Sequence, residues 1–134
     1  MFRSPLKVYG EYLIPKAAAE GSMTGSNSVR AGKSMSGLEI VVCAEASDAD
    51  PEVGLTVAAG TSVTIRIKQS QDGEVFIALP DCAKSFDEES VFLPGEILAR
   101  MTLPSDCLLH IKGDLAFSAA PEGNVSMFPA YLPR

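Results

Sequence analysis

The chain has 134 residues, 17 acidic and 11 basic, giving a formal charge of −6. That length fits a single domain able to bury roughly two-thirds of the surface its unfolded form exposes, so no metal or disulfide is needed to staple a core. A hydrophobic share of 46% with 21% charged residues excludes a chain disordered throughout, and scattered Lys and Arg in an acidic background argue against sequence-independent binding to DNA or RNA.

The opening MFRSPLKVYGEYLIP has no apolar stretch of signal-peptide length. No run of about eighteen apolar residues follows anywhere, so no membrane helix is expected. The chain therefore reads as made in the cytoplasm without a visible export signal. Residues 16–36, KAAAEGSMTGSNSVRAGKSMS, are small and polar, with few groups suited to a core. We read 1–36 as an extended N-terminal segment, with a strand at Leu6–Ile14 and room for a helical turn at Ala17–Ala19. Such a segment is expected to lie at the periphery, loosely held unless it pairs with a sheet or another chain.

From residue 37 onward the pattern has period two, and 37–134 is read as one β domain. Leu38, Ile40, Val42 and Ala44 share a strand face, opposite Glu39, Cys43 and Glu45. Val53, Leu55 and Val57 repeat the alternation. Val63, Ile65 and Ile67 face away from Thr64, Arg66 and Lys68, as in a half-buried strand. An Asp72-Gly73 turn then leads to a strand with Val75, Ile77 and Leu79 on one side. PDCAKSFDEES, residues 80–90, reads as an acidic surface loop with one turn of helix begun at Asp87. Ile97, Ala99, Met101 and Leu103 alternate with Leu98, Arg100 and Thr102. Cys107, Leu109 and Ile111 alternate with Leu108, His110 and Lys112, and a last strand covers Val125–Phe128.

Turn signals separate these runs at Asp50-Pro51, Ala59-Gly60, Asp72-Gly73, Pro94-Gly95, Pro104-Ser105, Gly113-Asp114 and Pro121-Glu122. About seven or eight short antiparallel strands so punctuated indicate an all-β sandwich, jelly roll or small barrel.

Candidate sites are few. Cys43, Cys82 and Cys107 with His110 make up the ligand types of a zinc site, but the one close pair, Cys107 and His110, is three apart. On a strand that spacing points the two side chains to opposite faces. Three widely spaced cysteines also lack the even, close set of a disulfide framework, and are read as reduced thiols. Glu45, Asp48, Asp50 and Glu52 lie within EASDADPE, where oxygen ligands at alternate positions suit calcium. A proline at 51 and the absence of EF-hand spacing favour a solvated loop instead, as for Asp87, Glu88 and Glu89. Lys16, Arg30 and Lys33 offer charge to an acidic partner. No nucleophile elbow, phosphate loop or zinc-protease pair is present. We expect no catalytic residue, no cofactor and no metal, hence no enzyme.

Ser70, Asp72, Gly73, Phe76 and Leu79 form the pattern S-x-D-G-x-x-F-x-x-L. Gly95, Leu98, Arg100, Leu103 and Pro104 form G-x-x-L-x-R-x-x-L-P, and Phe117, Gly123 and Val125 close the series. In this order, over roughly residues 37–132, the chain resembles the small capsid cement (decoration) proteins of podovirus-type tailed phages, of the kind described for a Bordetella podophage. The resemblance implies a jelly-roll-like sandwich on the outer surface of a virion capsid built from HK97-type major capsid subunits. It further implies a structural role bridging capsomers as a symmetric oligomer, with a homodimer favoured and a trimer as rival, and no nucleic-acid or membrane partner. The alternative from another class is a carbohydrate- or ligand-binding β-sandwich module of a virion or cell-surface assembly. Against it stand the absence of Trp and the presence of only three Tyr.

Overall fold

The computed structural model describes residues 6–7, 12–25, 29–30, 39–102 and 110–131. The strands are β1 (Leu6–Lys7), β2 (Ile14–Ala18), β3 (Ser22–Thr24), β4 (Val29–Arg30), β5 (Glu39–Glu45), β6 (Leu55–Val57) and β7 (Ser62–Ser70). They continue as β8 (Ile77–Ala78), β9 (Cys82–Ser85), β10 (Ser90–Phe92), β11 (Ile97–Thr102), β12 (His110–Phe117) and β13 (Asn124–Tyr131). The protein is all-β, and every pairing is antiparallel.

One sheet runs β1-β13-β5-β11 with β2 also on β13, and the other runs β3-β12-β7-β8 with β4 on β12 and β9 on β7. A separate ribbon joins β6 to β10. The two sheets pack face to face as a sandwich. Ile40, Val42, Val125 and Met127 from the first meet Val63, Ile65, Ile67, Ile111 and Leu115 from the second in one continuous core. Leu55 and Val57 of β6 complete that core with Phe86 and half-buried Phe92, whose rings meet edge to face at 5.7 Å.

β7 keeps the expected faces: Val63, Ile65 and Ile67 are buried, while Arg66 and Lys68 are exposed. Gly60, Gly73 and Gly95 adopt φ of 81°, 83° and 89° at the turns where the sequence placed them, a region glycine enters without steric penalty.

Elsewhere the structure departs from the local pattern. β5 is buried on both sides, because Val41 and Cys43 join Phe128 and Ala130 in a second apolar cluster flanked by Tyr12 and Ile97. In β11 the register with β5 shifts between Ile97 and Ala99. The extra residue of this bulge puts Leu98 and Ala99 both into the core and moves Ile97 to the opposite cluster. Gly113-Asp114 is not a turn: β12 runs through it, paired with β7 from His110 to Phe117. Glycine serves there by size, since a Cβ would press on Met127 Cε and lie 3.2 Å from Leu13 Cδ1.

Residues 80–90 are only partly a loop: Cys82–Ser85 form β9 and Ser90 opens β10, Phe86 is buried between them, and no helical turn forms at Asp87. Val75 and Ile77 do not line a buried face; they are exposed, while Leu79 packs against the core. The second arm of the hairpin pairs with β7 at Ile77–Ala78, continued by the Leu79 N–H on Ile67 O at 2.8 Å.

The N-terminal segment is extended where described, yet not peripheral. Ala17 and Ala18 lie in β2 rather than a helix, opposite Val125 and Asn124 of β13. β3 crosses to the other sheet and pairs with β12. Leu13, Ile14 and Met23 enter the main core. The expectation of few core groups in 16–36 overlooked Met23, a lone apolar residue that the topology carries inward.

Candidate functional site

The Ser70–Leu79 stretch is built as a closed structural unit. Ser70, fully buried, donates its hydroxyl to Asp72 Oδ1 at 2.9 Å and accepts the Gly73 N–H at 2.9 Å. Asp72 Oδ1 also accepts the amides of Glu74 (2.8 Å) and Val75 (3.1 Å). Those backbone donors, then the Ser70 hydroxyl, hold the Asp72 carboxyl at a pKa of about 2, below its ordinary 3.8. With two amides committed to the turn, residues 74–75 have no donors left for a strand ladder. His110, opposite Ser70 in β12, packs its ring against this turn, 3.5 Å from where a Gly73 Cβ would stand. Phe76 lies under Lys112, whose Nζ is 4.8 Å from the ring centroid. Each of these groups is spent on holding the hairpin.

The two described cysteines, Cys43 and Cys82, are not grouped with His110 as ligands of one metal. Cys43 is buried in the second cluster and Cys82 is half-buried on β9, while Cys107 lies outside the described residues. Among the described residues no three His, Cys, Asp or Glu side chains are placed to share a metal ion. The acids of EASDADPE disperse. Glu45 accepts from Ser126 Oγ at 2.6 Å, Asp48 pairs with Lys16 at 2.9 Å, and Asp50 accepts the Glu52 amide at 3.0 Å. Of the basic trio singled out in the N-terminal segment, Lys16 is thus bound within the chain. The Arg30 side chain and Lys33 lie outside the described residues.

Two open clefts mark the sides of the sandwich. One of about 400 Å³ separates β9 from β11, the adjoining edges of the two sheets. Lys84 Nζ spans it to donate to Leu98 O at 3.0 Å, and Cys82 Sγ lies 3.8 Å from Arg100 O. These side chains occupy carbonyls that an incoming strand would otherwise use, one of the ways natural sheets protect an edge. The other cleft, about 470 Å³, lies between β2 and β3 and is lined by small and polar groups such as Lys16, Ala18, Ser22 and Thr24. Neither is lined by an aromatic ring among the described residues.

The third feature is the β6–β10 ribbon. Val91 and Leu93 flank core-facing Phe92 and therefore point outward, at 67% and 56% exposure, with Val53 at 51% just before β6. β6 is covered on both flanks, by β10 and by a bridge from Thr56 to Glu122. β10 has no strand on its far side among the described residues.

Charge around this ribbon is one-sided. Residues 45–65 and 85–99 contain Glu45, Asp48, Asp50, Glu52, Asp87, Glu88, Glu89 and Glu96, and no Lys or Arg. Lys16, on Asp48, is the one described cation that forms an ion pair with any of them. Lys84 borders this end, its Nζ on Leu98 O (3.0 Å) and 5.2 Å from the Phe86 ring centroid. The other described basic side chains are engaged elsewhere, Arg66 with Asp81 (3.4 Å), Lys68 with Asp114 (3.7 Å), Arg100 with Glu39 (3.8 Å) and Lys112 on Phe76. Sequence reading saw these acids as two separate solvated loops. The signal that joins them is the strand character of SVF, residues 90–92, which pairs the second loop to the first. Comparison of the chain with family models, curated proteins and solved structures finds no match.

Proposed function

We propose that the protein is a capsid decoration (cement) protein. It binds the outer surface of a phage shell made of HK97-type major capsid subunits and, through its own oligomer, reinforces the joints between capsomers. The jelly-roll-like connectivity of the decoration family is part of this reading. The observation that carries it is a sandwich that presents outward apolar side chains, Val91 and Leu93 beside the β6–β10 ribbon and Val75 and Ile77 on the hairpin, surfaces suited to adhesion. The residues behind the resemblance serve the scaffold in keeping with such a role. Ser70, Asp72 and Gly73 lock a turn, and Leu98 fills the core.

Packaged DNA pushes capsomers apart, and a protein spanning a joint resists by adding contact area on both sides. A standard protein–protein interface buries about 1,600 Å² in total. Repetition around a shell lets modest affinity at each contact suffice once linked copies act together. A two-fold homodimer is the oligomer expected first, with a trimer as the rival. The carbohydrate- or ligand-binding alternative draws no support from two shallow clefts without aromatic platforms.

Adding purified protein to preformed expanded shells tests the reading. Co-sedimentation with the shells and raised resistance to heat or osmotic shock are expected. Failure to bind overturns it.

A further inference from the structure

We propose that the β6–β10 end is a docking surface for an extended protein segment whose apolar side chains are bordered by Lys or Arg, added as a strand along the open side of β10. Three observations converge on that occupant. β10 lacks a described partner strand on one flank over Ser90–Phe92, although Leu93 just beyond it already gives its N–H to Glu96 Oε1 (2.9 Å) and its carbonyl to the Glu96 amide (3.0 Å). An unpaired strand edge accepts an extended segment through main-chain hydrogen bonds. Val91 in β10 and Leu93 just after it are exposed, as is Val53 just before β6, giving apolar surface for the added strand. The loops that border them carry Asp48, Asp50, Glu52, Asp87, Glu88, Glu89 and Glu96, against two described cations that reach this end, Lys16 on Asp48 and Lys84 over Phe86. Glu52, Asp87, Glu88 and Glu89 make no ion pair with a described residue.

The β9–β11 side differs. There Lys84 and Cys82 bond the edge carbonyls of Leu98 and Arg100, whereas β10 carries an outward valine at 91, and Glu96 closes the edge only beyond the strand, at Leu93. A second copy of the chain docking through the same end would bring two acidic rims together, which opposes association. The charge selects a basic partner instead. Nucleic acid is refused by the same sign of field.

This inference rests on the decoration reading for the partner's identity, which would then be a segment of the shell subunit; the surface chemistry can be read without a shell. The probe is a synthetic peptide about eight residues long, a usual strand length, of alternating lysine and valine, with a glutamate–valine peptide as control. Both are titrated into the isotope-labelled full chain by NMR. Amide shifts concentrated in β10, β6 and residues 86–89 are expected with the lysine peptide alone. Val91→Ser/Leu93→Ser, at exposed positions, should weaken binding by about tenfold or more, while Val75→Ser/Ile77→Ser should not.

Shifts that are absent, that spread over β7 and β12, or that survive Val91→Ser/Leu93→Ser overturn the proposal. So does a change of oligomeric state in that variant, which would make the surface a contact between copies. A shell arm separates the two readings. Wild-type binding to shells with undiminished binding by Val91→Ser/Leu93→Ser keeps the decoration role and overturns the docking surface. Peptide binding at β10 without any shell binding supports the surface and removes the decoration role.

Discussion

Asp72 does for the hairpin what a capping residue does for a helix end: one carboxylate oxygen takes two backbone amides and a serine hydroxyl. Because its folded pKa of about 2 lies below the ordinary 3.8, the ionised form is favoured by folding. Its stabilisation is complete above the unfolded value and is lost as pH falls from about 4 through 2. Asp72→Asn should lower the melting temperature at neutral pH and flatten this part of the acid limb. Thermal melts at pH steps between 2 and 5 would check it, and an unchanged acid limb would disprove it. Two glycines show how the meaning of a small residue depends on its neighbour. A Cβ on Gly113 meets the mobile ends of Met127 and Leu13, whereas one on Gly25 runs into the backbone oxygens of Gly113 and Leu13. Gly113→Ala is an overpacking change expected to cost about 1–3 kcal/mol. Gly25→Ala should be the worse of the two, since side-chain ends yield and a sheet backbone does not. Chemical denaturation of both variants ranks them.

Among the elements, β2 and β3 decide whether the N-terminal segment is ornament or structure. They bury Leu13, Ile14 and Met23 and pair with β13 and β12. Burial of three such side chains is worth roughly 5–9 kcal/mol, comparable to the whole stability of about 5–15 kcal/mol of an ordinary domain. Deletion of 1–25 should therefore unfold the sandwich, as read by circular dichroism, rather than merely detach a tail. A folded truncate would refute this. β13 is another element whose meaning lies in its setting. Pro129 sits opposite Ile40 in a strand with neighbours on both sides, where a missing N–H is poorly tolerated. It falls between the end of pairing with β2 at Met127 and the start of pairing with β1 at Ala130. At the β9–β11 edge, Lys84→Ala should change stability by no more than about 1 kcal/mol, the usual worth of a single hydrogen bond. It should nonetheless raise self-association, because Leu98 O is released to an incoming strand. Light scattering against protein concentration measures that.

For the whole molecule, charge and apolar surface are distributed unevenly around a common core. Ion pairs elsewhere join exposed partners such as Arg66 and Asp81, and contribute little individually. The unpaired carboxylates at the β6–β10 end instead create a field with reach, one that salt screens beyond about 8–10 Å near physiological ionic strength. Attachment through this end should weaken steadily as salt rises, whereas the thermal stability of the free protein should barely respond. Sedimentation with shells and melting curves across one salt series compare the two directly, and salt-independent attachment would rule out the charged rim as a contributor.

Much of the scaffold was legible in single residues. Alternation from Val63 to Ile67 marked β7, Gly60, Gly73 and Gly95 marked turns, and the lack of long apolar or helical runs marked an all-β chain. These are short-range facts: period-two burial and positive φ are set by the nearest neighbours along the chain. The candidate surface was not legible, since Val91 and Leu93 read as ordinary strand residues and the two acidic loops lie some forty residues apart. Which side of a strand meets protein and which meets solvent depends on partners distant in sequence. Only the tertiary pairing could decide that β5 is covered twice, that a bulge sends Leu98 inward, that Met23 belongs to the core, and that β10 is left with an open side.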